Sequence, residues 1–336
     1  MELIALKYPN KKKRKGYWKR YFRAKIKNFR KIWNFLDKII DELGIPFVKE
    51  KRGRHPKLTL HIITKMCIFI GYFDLTLDEM DGLLDLLENK TLDRSNIDRW
   101  FIKFDDEYAL KATQLLHQKI EEMFRKGEYI VDSTKYTTNQ YHEMIHKGKM
   151  IIELLTMKLH IFIVYFFSVG ILSIANFSVT HGDAHDAPVY RDELLEDISL
   201  KKNRRSHKDK AYDDEDTFEK EFEKGLIPNT VPKENSKKGF WRKKARRVYN
   251  NELRKKMRGL VEGVFGGMQT ETDNKVRYKL DKTRKTYIAL RALAHEIRTY
   301  LRALEQKIIF LFVNFATTPH EDTQSRGGVL EGIQNI

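Results

Sequence analysis

Three acidic residues sit where a carboxylate could do chemistry. Asp132 ends a short apolar strand pattern (YIVDST), Asp209 stands just before a strand-to-helix turn (HKDKAYDDE), and Glu262 lies in an amphipathic helix pattern (MRGLVEGVF). Carboxylates brought together from separate elements could hold two Mg²⁺ or Mn²⁺ ions. Such ions take hard oxygen ligands, and a pair of them clamps the attacking and leaving oxygens of a phosphoryl transfer. Taken singly, an acid in any of these places is usually a surface group or an N-cap. Around Glu262, the residues Lys255, Arg258, Phe265 and Gln269 recur at steps of three or four and share its helix face. Two cations one and two turns before the carboxylate could hold phosphates near a metal-bound one. The plainer alternative is an intrahelical Arg258–Glu262 pair, worth a few tenths of a kcal/mol, and spacing alone does not separate the two. His181, Asp183, His185 and Asp186 also invite a metal reading, but zinc wants three or four nitrogen or sulfur ligands. An N-cap by Asp183 or Asp186 for the helix around Pro188 accounts for them better.

The elements that would position these residues change character along the chain. A helix pattern at Ile32, Phe35, Leu36, Ile39 and Ile40 stops near Gly44 and Pro46. Residues 58–73, 76–87 and 95–104 then read as three short helices, the second opened by a capping box of Thr76 and Glu79 and the third by Ser95 and Asp98. Three helices in succession allow a helix-turn-helix, with Arg94, Asn96 and Arg99 placed to meet a DNA groove or backbone; a plain bundle packing on the next domain fits equally. A further helix pattern covers 110–124. From 129 the texture is β-rich, with strands expected at 129–131, 151–163 and 171–179, then helices at 187–195, 215–224 and through 257–265. Strands with helices around them suggest a mixed-sheet α/β domain behind an all-α front.

Composition narrows the partner. The 336 residues are 41% hydrophobic, enough for a sizeable core, and carry a formal net charge of +17 that attracts a polyanion. Residues 11–31 hold 12 basic residues and no acid, and residues 233–258 hold another 12 against Glu234 and Glu252. These are either solvated charge runs or a nucleic-acid interface. Aromatics interleaved with the cations suit the second reading: Tyr17, Trp18, Tyr21 and Phe22 in the first run, and Trp241 beside Lys243, Lys244, Arg246 and Arg247 in the second. The lone Cys67 rules out an intrachain disulfide and a cysteine-based zinc cluster, and fits a reducing, intracellular setting. The opening LIAL is too short for a secretory signal. The uncharged stretch 161–180 is long enough to span a bilayer, but its β-branched and aromatic residues and the break at Ser168, Val169 and Gly170 favour two buried strands.

Five separated stretches, VDST, MKLHIFIV, VTHGDAHDAP, DKAYDDEDTFEKEF with KGLIPNTVP, and RGLVEGVFGGM, resemble in content and order the insertion-sequence transposases of the DDE type. The resemblance covers roughly residues 129–302. It implies a ribonuclease-H-like catalytic core and places the three metal-binding acids on Asp132, Asp209 and Glu262. It further implies two Mg²⁺ or Mn²⁺ ions, cleavage at the ends of a mobile element with joining of the 3′-hydroxyl to target DNA, and a homodimer or larger assembly on DNA. A cytoplasmic, nucleoid-associated protein with no membrane span would follow. The family commonly has glycine where this chain has Ala211, and in its final helix Lys255 replaces a tyrosine and Gln269 a lysine. The expected division is a basic arm and first helix over 1–55, a helical DNA-binding or dimerisation domain over 56–126, the catalytic domain over 127–304 with a basic insertion around 227–250, and a C-terminal extension over 305–336. Two alternatives stay open: a catalytically inactive transposase-derived DNA-binding protein, and a ribonuclease-H-like nuclease that cuts without joining.

Overall fold

Alternation of β-branched and aromatic side chains from residue 127 onward builds three antiparallel strands: β1 (Gly127–His146), β2 (Lys149–Phe166) and β3 (Ile171–His181). The computed structural model describes residues 17–47, 56–146, 149–196, 198–236, 238–269 and 274–317. Two short strands, β4 (Arg205–Lys208) and β5 (Ile227–Thr230), extend the sheet in parallel, giving the order β3-β2-β1-β4-β5. β6 (Lys275–Val276) adds a parallel pair on Thr137 and Thr138 of β1. The chain is thus α/β, with a mixed open sheet flanked by helices.

The connections follow from strand direction. Antiparallel neighbours need only a tight turn, and Gly170 closes the one after β2 at φ 64°, where a side chain would be strained. Parallel neighbours need crossovers. The first runs through α6 (Asp186–Val189) and one π-helical turn (Tyr190–Leu194), the second through α7 (Glu215–Glu223). The uncharged stretch 161–180 is therefore the end of β2, the turn and nearly all of β3, and among the described residues no helix is long and apolar enough to cross a membrane. β1 is far longer than the three-residue strand expected at 129–131, because its polar residues alternate with Tyr136 and Thr138, which are buried.

Two-residue periodicity divides the sheet into faces. Ile130 of β1 and Met157, Leu159, Ile161 and Ile163 of β2 pack under α9 (Asn251–Gln269) and α10 (Asp281–Thr317). Tyr129, Val131, Phe162 and Val164 face Tyr190, Leu194 and Tyr212 on the other side.

Among the described residues five helices precede the sheet: α1 (Tyr17–Leu43), α2 (Leu60–Phe73), α3 (Leu77–Glu88), α4 (Arg94–Lys103) and α5 (Asp106–Met123). Thr76 and Glu79 form the expected capping box on α3, whereas α4 is capped by Asp93 rather than Ser95. Every residue of α2 from Ile62 to Phe73 is buried, and its Gly71 lies so close to α10 that an added Cβ would meet the Leu290 Cβ at 2.3 Å. One hydrophobic cluster runs from Ile32 through α2, α5 and the sheet to Ile297, so the front helices and the sheet share a core. α10 continues through residue 304 to Thr317, which puts the expected start of the C-terminal extension inside a helix. The start of the basic arm and residues 318–336 lie outside the described residues.

Candidate active site

Strand register sets the first two acids side by side. Tyr129 and Ile130 of β1 lie opposite Ser206 and His207 of β4; two residues further along the same ladder come Asp132 and Asp209, on strands spaced about 4.8 Å apart. Asp132 shares its sheet face with Ile130, the face covered by α9. Both acids line a small pocket of about 50 Å³ together with Ile130, His207, Arg254 and Arg258. Asp209 follows the last residue of β4 and caps a 3-10 turn (Lys210–Tyr212), its Oδ1 accepting the Ala211 N–H at 2.8 Å. Ala211 is not among the positive-φ residues, so the turn is built without glycine there.

A buried ion pair anchors the strand end that presents Asp209. Lys208 Nζ reaches the Glu221 carboxylate and the Ser206 hydroxyl (2.9 Å) and lies 5.0 Å from the Tyr190 ring centre. Tyr190 in turn donates to Glu221 at 2.8 Å. Burial pulls the Lys208 ammonium down and Glu221 opposes it. Removing one member of such a pair strands the other charge and costs about 3 to 5 kcal/mol.

Asp132 is electrostatically unsettled. Burial pushes its carboxyl up to about 6; the Ser133 N–H, 2.8 Å from Oδ1, opposes this, the Asp209 charge adds to it, and Arg258 and Asp186 contribute in opposite senses. A half-buried carboxylate beside a second one, both offering hard oxygen donors, suits Mg²⁺ or Mn²⁺.

Glu262 is placed differently. It lies one turn beyond Arg258 on α9, is exposed, and its Oε1 accepts from Arg258 Nε at 3.1 Å. It does not line the pocket of Asp132 and Asp209; Arg258 connects the two. Among the described residues no three His, Cys, Asp or Glu side chains are gathered closely enough to hold a metal ion. Further along α9, Gln269 Nε2 donates to Thr134 Oγ1 at 2.8 Å, so this helix face lies against the strand that carries Asp132. Lys255 is exposed and off the pocket, while its neighbour Arg254 lines it. In the sequence, Arg254 is legible as a cation one turn before Arg258.

A second charged cluster sits behind Asp132. The Asp186 Oδ1 lies 2.8 Å from Lys158 Nζ and 3.2 Å from His160 Nδ1, and His160 stands across the ladder from Ser133. Burial would raise the Asp186 carboxyl, but His160, Lys158 and Ser133 outweigh it and hold the group well below the usual range. Neither Asp183 nor Asp186 caps α6, whose N-cap is His185 without a side-chain bond; the strong pull of Lys158 takes the Asp186 carboxylate instead. The motif is conspicuous in the sequence, but its partners on β2 are not.

The basic segment forms α8 (Phe240–Val248). Lys243, Lys244 and Arg247 are exposed along it. Arg246 is turned inward, donating to the carbonyls of Lys233 (2.9 Å) and Ser236. Trp241 stacks on Phe222, and Lys244 lies 4.1 Å from the centre of that ring. On the front helices, Asn96 is engaged by Asp93, whereas Arg94 and Arg99 line a different cleft between α4 and the segment after β6. No protein-family model matches this chain, and no curated protein matches it.

Proposed function

We propose that this chain is a DNA transposase of the DDE type with a ribonuclease-H-like core, acting in the cytoplasm at the nucleoid. The observation that carries the reading is that Asp132, on β1, and Asp209, just past the end of the parallel strand β4, line one pocket with Arg254 and Arg258. The strand order, three antiparallel strands extended by two parallel ones, is compatible with that core. Asp132 and Asp209 would hold divalent metal, with Glu262 as the third ligand once it leaves Arg258. Bound there, Mg²⁺ or Mn²⁺ supplies Lewis acidity toward water and the phosphoryl oxygens. The chain's own part is positioning: Arg254 and Arg258 hold phosphates over the acid pair, the Ser133 N–H and Asp209 cap fix the carboxylates, and the exposed cations of α8 and α9 grip the flanking duplex. Assembly as a dimer or larger complex on DNA belongs to the same proposal.

The test is a strand-transfer assay. The full chain is incubated with Mg²⁺, a target plasmid and DNA carrying any inverted repeats that flank its coding region, labelled at the 5′ end of the strand whose 3′-hydroxyl is to be joined. Joined product supports a transposase, and cut but unjoined ends identify a nuclease. The pairing of Glu262 with Arg258 favours one other reading, an inactive transposase-derived DNA-binding protein, for which the same DNA would be bound and neither cut nor joined.

A further inference from the structure

Among the described residues, a cleft of about 680 Å³ opens where α3, α4 and the start of α10 meet the segment following β6. Its floor is apolar, with Leu75, Leu77, Ile102 and Leu280, and the last of these is 53% exposed with nothing covering it. Its rim carries Arg94, Arg99, Arg277 and Lys279. Arg94 leans on Asp78 at 3.4 Å and Arg277 on Asp74 at 3.6 Å. Arg99 and Lys279 are exposed and have no ion-pair partner among the described residues. Thr76, Ser95 and Thr283 add hydrogen-bonding groups to the lining, and the carboxylates of Asp74 and Asp98 line it too.

An apolar floor under a cationic rim matches an amphipathic anion with a flat body. A nucleotide is such a group: its base needs a face to lie on and edges to pair, and its phosphate needs cations. We propose that this cleft takes one or two unstacked nucleotides of a DNA strand, base inward and phosphates on Arg99 and Lys279. The inference rests on the reading of the chain as a DNA-processing enzyme. Its placement fits that reading, since β6 pairs with Thr137 and Thr138, on the same strand as Asp132. At ~3.3 Å per residue, the stretch of β1 from Asp132 to the residues that pair with β6 is about 17 to 20 Å long, and the cleft begins at Arg277, just past β6. A strand held at the acids and opened at the cleft would be gripped at two points.

The experiment is fluorescence anisotropy of the full chain with a labelled single strand of about ten nucleotides, with the matching duplex, and with dAMP as competitor. The Arg99→Ala/Lys279→Ala double variant should bind the single strand at least about tenfold more weakly. Its log–log salt dependence should flatten by about 1.4, at ~0.7 for each phosphate of a single strand that is no longer neutralised. Duplex affinity, carried by α8 and α9, should change by less than about threefold. Leu280→Glu, which sets a carboxylate on the apolar floor, should reproduce the loss. All three side chains are exposed, so neither variant disturbs the core. Single-strand binding that survives both variants would overturn the inference, as would dAMP displacing the strand at equal concentration, which would make the cleft a free-nucleotide site. Wild-type chain that bound neither strand nor duplex would instead sink the DNA reading itself, whereas normal duplex binding with an indifferent cleft sinks only this proposal.

Discussion

Burial first, and the charge of Asp209 in addition, push the Asp132 carboxyl up to about 6. The sign of its effect on stability follows. A carboxyl raised above its ordinary 3.8 contributes fully where both folded and unfolded chains are protonated, and that contribution is lost as pH rises through about 6. Asp132→Asn should therefore be more stable than the parent at pH 7.5, by up to about 3 kcal/mol at ~1.4 kcal/mol per pH unit. The gain should shrink markedly at pH 5. Urea melts at the two values check this, and an equal gain at both would mean that the strain is steric rather than electrostatic. Added Mg²⁺ should narrow the gap at pH 7.5, because only the parent keeps both ligands. Glu262 makes a contrasting case. As a surface partner of Arg258 it is worth a few tenths of a kcal/mol, so Glu262→Gln should leave the melting curve almost unchanged. As the third ligand it should lose at least ~10³ in cleavage, since several kcal/mol of metal interaction cost about tenfold per 1.4 kcal/mol. Cleavage run beside a gel-shift separates these, and normal cutting with normal binding would remove Glu262 from the site.

At the scale of elements, strands and helices are legible wherever the pattern is local. The capping box on α3, the halt of α1 before Gly44 and the turn at Gly170 all rest on residues within a few positions of one another. What stays hidden depends on partners far away in sequence. The length of β1 escapes a local reading because its polar residues are paired against β2 and β6, and the Asp186 carboxylate reads as a cap because nothing local announces Lys158 and His160. Glu296 is the clearest instance. Mid-helix in α10 and wholly buried, it accepts the Ser173 hydroxyl and the Ile174 N–H (2.7 Å) of β3, and Ser173 lies 2.7 Å from His117 of α5. Three elements are tied at this carboxyl, which burial pushes up to about 8. Its contribution is therefore full below about 4.5 and fades as pH rises through 8. Glu296→Gln keeps a donor and an acceptor in place, so stability should become flatter between pH 5 and 8. Glu296→Ala leaves the Ile174 N–H unpaired and should cost about 1 to 3 kcal/mol at pH 5. Two glycines give a further contrast, read by the same melts. Gly71→Ala would drive a methyl into Leu290 at the crossing of α2 and α10 and should cost about 1 to 3 kcal/mol. Gly82→Ala, inside α3 with nothing within 4 Å, should stabilise by about 0.5 to 1 kcal/mol.

For the molecule as a whole, the net charge of +17 would attract a polyanion, but which cations would face one is not legible from the run itself. Arg242 binds Asp213 and Arg246 binds backbone carbonyls, so these two charges stabilise the fold around α8 before they could meet a phosphate. Lys243, Lys244 and Arg247, at steps of one and three along the same helix, remain exposed, as do Lys255 and Arg258 on α9. The distinction predicts unequal consequences. Lys243→Ala/Lys244→Ala/Arg247→Ala should fold as the parent does, because none of the three side chains is buried. If each neutralises one phosphate, the slope of log affinity against log salt should fall by about 2 to 3, at ~0.9 per phosphate of duplex DNA. Arg242→Ala should instead act mainly on stability, by removing the ion pair at 2.6 Å and leaving the buried Asp213 carboxylate with only the Lys233 N–H and the more distant Arg246. The measurement is a duplex gel-shift from about 50 to 200 mM salt, run beside urea melts of both variants. A triple variant with the parent's slope would show that α8 is a solvated charge run, and the DNA path would then have to be sought along α9 alone.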